Sequence, residues 1–123
     1  SSDPAAPYDT ATHALIFRRA KNLKLRNIEV NWENPAFEKW QAALLVEDVD
    51  GLTLDGFRGN SAWPGRKIPA IILNRVQNAM VANAQAPAGT NLFLKVGGAS
   101  SHDIRLFGND FHEAETPMYW TRT

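Results

Sequence analysis

The chain has 123 residues, 44% of them hydrophobic and 21% charged, and its 13 basic and 13 acidic residues cancel. That length provides for a single domain with a substantial core. The charge balance leaves no footprint for nucleic acid or an acidic membrane surface, so neither is expected as a partner. No apolar run reaches transmembrane length, and the absence of Cys excludes disulfides and thiolate chemistry.

Residues 1–12, rich in Pro, Ala and Ser, read as an irregular N-terminal segment. The next stretch, "ALIFRRAKNLKLRNIEV" (14–30), admits two readings. Leu23, Leu25, Ile28 and Val30 line either one face of a helix or the inner side of short strands. Comparison along the chain favours strands. "ALLVEDVDGLTLDGFRG" (43–59) and "AIILNRVQNAMVANAQA" (70–86) align with the first stretch without a gap. Apolar columns run Leu15, Leu44, Ile71; Phe17, Val46, Leu73; Leu25, Leu54, Val81; and Ile28, Phe57, Ala84. Two further columns hold Asn22, Gly51, Asn78 and Asn27, Gly56, Asn83. Asn and Gly tolerate a left-handed backbone, so these columns predict sharp bends for which a helix has no use.

A fourth copy follows in two halves, "NLFL" (91–94) and "DIRLFGNDF" (103–111), separated by an insertion around "GGASS" (97–101). The pattern predicts an all-β, right-handed, single-stranded parallel β-helix (a β-solenoid) over residues 13–112. It should have about four rungs, each with three short strands. One inward slot, Asn109, is polar, as suits a terminal rung near water. Residues 113–123 read as a C-terminal cap or tail.

Length varies at one phase of the repeat only. "NWENPAFEKWQA" (31–42) and "NSAWPGRKIP" (60–69) are long loops on one side, and they carry Trp32, Trp40 and Trp63. In the first strand the outward column reads Ile16, Leu45, Ile72, Phe93, where water would call for polar residues. Three coverings are open: the Trp-bearing loops, a second copy of the chain in a homo-oligomer, or a ligand. Trp32, Trp40 and Trp63, with Arg66 and Lys67 nearby, form the candidate set for stacking a carbohydrate and meeting an acidic group on it.

The densest acidic stretch is Glu47, Asp48, Asp50 and Asp55, which reads either as an acid/base or Ca²⁺ site or as solvated turn residues. The turn reading is preferred, because Arg18 and Glu47 share a column and opposite charges in neighbouring rungs attract. His13, His102 and His112 lack metal-ligand spacing. No catalytic residue, metal ligand or cofactor is assigned.

"ALIFRRAKNLKLRNIEVNWENP", "WQAALLVEDVDGLTLDGFRGNSAWPG" and "HDIRLFGNDF" resemble pectin-lyase-like right-handed parallel β-helix proteins. More narrowly, they look like the C-terminal rungs of bacterial polygalacturonase-type enzymes, glycoside hydrolase family 28. The resemblance implies inverting hydrolases of polyuronates that use clustered aspartates. The motifs of that family (Asn-Thr-Asp, an Asp-Asp doublet, Gly-His-Gly, Arg-Ile-Lys) do not occur here. The resemblance therefore implies a non-catalytic segment, with catalytic rungs upstream of Ser1 as its partners, a polysaccharide ligand and an extracellular or periplasmic setting. The alternative is a small self-standing β-solenoid that oligomerises or binds a partner through its outer stripe or its loops.

Overall fold

Alternating apolar residues and left-handed corners make each repeat one turn of a coil. The computed structural model describes residues 13–32 and 41–121. Successive turns begin with β1 (Leu15–Arg26), β3 (Leu44–Asp55) and β5 (Ile71–Ala82), each 12 residues long. The first two are closed by β2 (Glu29–Val30) and β4 (Arg58–Gly59), and Gln85 takes the same place in the third through bridges to Arg58 and Asp110. The next turn is divided into β6 (Leu92–Gly97) and β7 (His102–Phe107), and β8 (Thr116–Trp120) opens another.

Every pairing is parallel. The order is β1-β3-β5-β6-β8, with β7 also on β5, and β2 pairs β4 in a separate sheet. The described residues contain no helix. The chain is an all-β parallel solenoid of about four turns.

The register of the first three turns follows the gapless alignment, from Leu15↔Leu44↔Ile71 to Arg26↔Asp55↔Ala82. The expected bend columns are present. Asn22, Gly51, Asn78 and Asp103 have φ of 54°, 89°, 55° and 57°, and Asn27, Gly56, Asn83 and Gly108 have 53°, 83°, 55° and 60°. A third corner column was not legible: Arg19, Asp48, Arg75 and Gly98, with φ of 55°, 55°, 53° and 90°. Arg in two of these four positions gives no compositional sign of left-handed backbone, which hides the column. The first two strands of each repeat also merge into one that bends at its corners. Side-chain amides tie the corners together: Asn78 Nδ2 donates to Asp50 Oδ1 at 2.8 Å and Asn83 Nδ2 to Asp55 Oδ1 at 3.0 Å.

The fourth turn departs from the expected register by two residues, because Leu94 rather than Leu92 pairs with Ile71. Phe93 consequently leaves the outward column. It is fully buried, 6.0 Å from the Phe57 ring and 5.1 Å from that of Phe111. Lys95 stands beside Ile72 in its place. The inserted loop is closed by buried Ser101, whose Oγ donates to Gly97 O at 2.7 Å and accepts from Val76 N at 3.0 Å. Asn109 also serves the backbone rather than water. Its Oδ1 accepts from Ala84 N at 2.8 Å and its Nδ2 donates to Val81 O at 2.9 Å.

Leu44, Val46, Val49, Leu54, Phe57, Leu73, Val76 and Val81 are wholly buried along the axis. Residues 112 and 113 turn, and β8 then pairs with β6, so the segment read as a cap or tail contributes a strand.

Close stacking leaves little room at Gly59, whose φ is 152° and where a Cβ would lie 2.7 Å from Val30 O. Gly59→Ala is expected to lower stability in urea unfolding by about 1–3 kcal/mol. Gly65→Ala, with open space around it, should change it by less than about 0.5 kcal/mol.

Candidate interaction surfaces

The acidic stretch comes first, because a catalytic role would depend on it. Strand β3 presents Glu47 between Arg18 of β1 and Asn74 of β5, one rung away on either side. Glu47 Oε1 accepts from Arg18 Nε at 2.7 Å, and Oε2 accepts from Asn74 Nδ2 at 3.1 Å with an Arg75 nitrogen 3.2 Å away. At the next corner Arg75 holds Asp48 through two bonds of 2.6 and 3.1 Å. Asp50 and Asp55 accept from Asn78 and Asn83. All four carboxylates are thus taken up by partners in neighbouring rungs.

For Glu47 and Asp48 the local electrostatics point the same way. Desolvation alone would raise Glu47, but hydrogen bonds from Arg18 and Asn74 and the charges of Arg18 and Arg75 outweigh it and hold the group below its ordinary value of 4.5. The Arg75 bond similarly lowers Asp48. Carboxylates held ionised in this way do not supply the protonated acid that glycoside hydrolysis needs. Among the described residues no group of three or more His, Cys, Asp or Glu side chains could hold a metal.

The histidines have separate roles. His13 is part-buried, and its Nδ1 accepts from Ala42 N at 3.1 Å. Desolvation, then the charge of Arg18, lowers its pKa against a smaller opposing effect of Glu47. His102 contacts Asp103 at 2.8 Å in a solvated corner. His112 joins Asp110 through a short contact and Glu113 at 3.1 Å, and the Asp110 hydrogen bond raises its pKa.

The described members of the stacking set have separate contacts. Trp32 Nε1 donates to Asn60 O at 2.8 Å, bridging the two long loops. Trp63 lies with its Nε1 buried and unpartnered, and the Arg66 guanidinium stands 4.7 Å from its ring centre, occupying one face. Trp40 lies outside the described residues. Lys67 is exposed and lines a groove beside Lys95 and Tyr119. Trp63, Arg66 and Lys67 share one loop, tied by Ala62 N to Gln41 O at 2.6 Å and by Asn91 N to Pro64 O at 2.8 Å.

The outward stripe is narrower than its sequence pattern. Ile16 is 43% exposed, but Leu45 is only 6% exposed and Ile72 is half-buried. More apolar surface lies at the two ends of the coil. On β1 the inward residues Leu15, Phe17, Ala20 and Leu23 are half-buried, as are Ile28 and Val30 beyond it. At the other end Leu106, Phe107, Met118, Tyr119 and Trp120 are exposed. The alternation pattern gave no sign of this, since an end rung carries the same inward residues as a central one.

Comparison of the chain with protein-family models, curated proteins and solved structures finds no match.

Three pH effects follow, two from histidines with opposite sign and one from the paired carboxylates. A lowered His13 pKa means that the unfolded chain protonates first as pH falls. The contribution of the neutral ring is complete above its ordinary value of 6.5 and lost below it. His112 has the reverse sign, its contribution being present below 6.5 and lost as pH rises through its raised value. Thermal melts from pH 7.5 to 5.5 should therefore show a smaller acid-side loss in His13→Ala than in the parent chain. Glu47 and Asp48 act lower, with their contribution complete above about pH 5 and lost as pH falls through their depressed values. Arg75→Met should flatten the melting-temperature profile below pH 4.5, which melts extended from pH 5.5 down to pH 3 measure.

Proposed function

We propose that the chain is a non-catalytic block of β-helix rungs within a carbohydrate-active protein of the polyuronate glycoside hydrolase type, with further rungs stacked against β1. One contrast carries this reading. Leu15, Phe17, Ala20, Leu23 and Ile28 are half-buried, whereas Leu44, Val46, Val49, Leu52 and Phe57, at the same positions one rung along, are buried. An apolar inner face ending on a strand edge is unfavourable in water and offers unpaired backbone groups to a neighbour. A preceding rung of the same pattern would cover both.

The engagement of Glu47, Asp48, Asp50 and Asp55 by neighbouring-rung partners supports a structural rather than catalytic role. The resemblance of the repeats to polygalacturonase-type rungs supplies the carbohydrate context, and an extracellular or periplasmic setting goes with it.

A second reading, a self-standing solenoid that pairs with its own copies, draws on the same ends, where Phe107 and Tyr119 are 54% and 53% exposed. The reading frame adjoining residue 1 discriminates between them. Upstream rungs with Asn, Gly or Asp corner columns and paired aspartates are expected, and a start codon or signal peptide directly before Ser1 would overturn the rung-block reading. In a protein carrying those rungs, Leu23→Ala should cost about 2–5 kcal/mol, as in a closed core, and clearly less in the chain alone. Release of reducing ends from polygalacturonate by the chain alone would overturn the non-catalytic assignment. A molecular mass that rises with concentration would favour self-pairing.

A further inference from the structure

Strands β6 and β8, Asn91 and the loop over residues 60–69 line a groove of about 440 Å³. Its lining includes the nearly buried apolar Leu92 and Pro69, the cations Lys67 and Lys95, the polar Asn91 and the ring of Tyr119, which is 53% exposed. The groove is built by backbone ties. Asn91 N donates to Pro64 O at 2.8 Å, fixing the loop wall, and Thr116 N donates to Asn91 O at 2.6 Å, seating β8. Upstream of Lys67, the Arg66 guanidinium rests over the Trp63 ring.

Two lysines set this groove apart from the charge-paired columns of the first turns. Four outward charged positions on the first turns face an opposite charge one rung away, Arg18↔Glu47, Lys21↔Asp50, Arg26↔Asp55 and Glu29↔Arg58, with Lys24, opposite Thr53, as an exception. Lys95 instead stands between Ile72 and Tyr119. No acidic residue lines the groove, and neither lysine has an ion-pair partner among the described residues. Two ammonium groups beside apolar floor residues and an open aromatic face suit a ligand that brings its own negative charge on a flat, partly apolar body.

We propose that this groove binds a carboxylate carried on a ring, as in an acidic sugar residue or an aromatic acid. The carboxylate meets Lys67 and Lys95, and the ring lies against Tyr119. Asn91 is placed for a polar substituent. The site goes beyond the rung-block reading and uses none of the residues at the β1 edge, so either one stands if the other fails.

Calorimetric titration of the whole chain with a galacturonate oligomer, its neutral galactose counterpart and benzoate tests the site. Binding of a carboxylate ligand is expected, at least tenfold tighter than the neutral oligomer and weakened by salt. Lys67→Gln with Lys95→Gln should reduce that binding at least tenfold, as should Tyr119→Ala. Lys24→Gln, on the outward side of β1 and away from the groove, should leave it unchanged, and thermal melts confirm that each variant is folded. Preference for galacturonate assigns the acidic sugar, and preference for benzoate with the same lysine dependence assigns an aromatic acid. No binding by either carboxylate, equal binding of acidic and neutral oligomers, or equal loss in Lys24→Gln would overturn the proposal.

Discussion

At three corners in each turn the chain must reverse direction without a helix or hairpin, and it does so by holding single residues at positive φ. Everything else in the molecule depends on these corners recurring in step, because parallel strands share backbone bonds only when each rung bends where its neighbour bends. Gly removes the Cβ clash and Asn lessens the penalty through local bonding, which accounts for two of the corner columns. The third uses Arg19 and Arg75, which have neither advantage, and Asp48 between them. There the compensation is between rungs: Asp48 and Arg75, both at positive φ, hold each other through a two-bond ion pair. An exposed ion pair contributes little by itself, but this one ties two strained corners to a common register.

The same requirement accounts for most polar side chains that first invite a chemical reading. Asp50 and Asp55 receive corner amides, and Glu47 is shared between rungs on both sides. Ser101 closes the inserted loop, and Asn109 bonds the backbone of the rung beneath it. A parallel stack brings equivalent residues within hydrogen-bonding distance at every turn, so a polar residue in a repeated column is first of all a tie between rungs. Chemistry specific to this protein is better sought where the repeat is broken. The groove between the 60–69 loop, β6 and β8 is such a place, since Lys95 interrupts an aliphatic column and Lys67 comes from a loop that follows no repeat.

The ends and the sides of the solenoid serve different purposes. Along the axis, apolar burial is nearly complete in the central turns and falls away at β1, β7 and β8. Across the sides, the long loops draw Trp32 and Trp63 into packing and bridging contacts instead of presenting their rings together. Among the described residues, exposed apolar side chains gather mainly at the ends, and two lysines line one groove.

The amino-acid sequence by itself determined the repeat, the all-β solenoid class, the register of the first three turns, two corner columns and the pairing of Arg18 with Glu47. Each of these is a local or column-wise property, carried by side-chain alternation or by residue types with a strong backbone preference. Tertiary structure decided the rest. The insertion at residues 97–101 allows β6 to slide two residues against β5, which turns Phe93 from an outward residue into the partner of Phe57 and Phe111. Whether Leu45 or Ile16 meets water depends on which turns and loops lie over it, and the half-burial of Leu23 depends on what stacks below. Such exposure is set by neighbours distant in the chain, and alternation along a single strand carries no information about them.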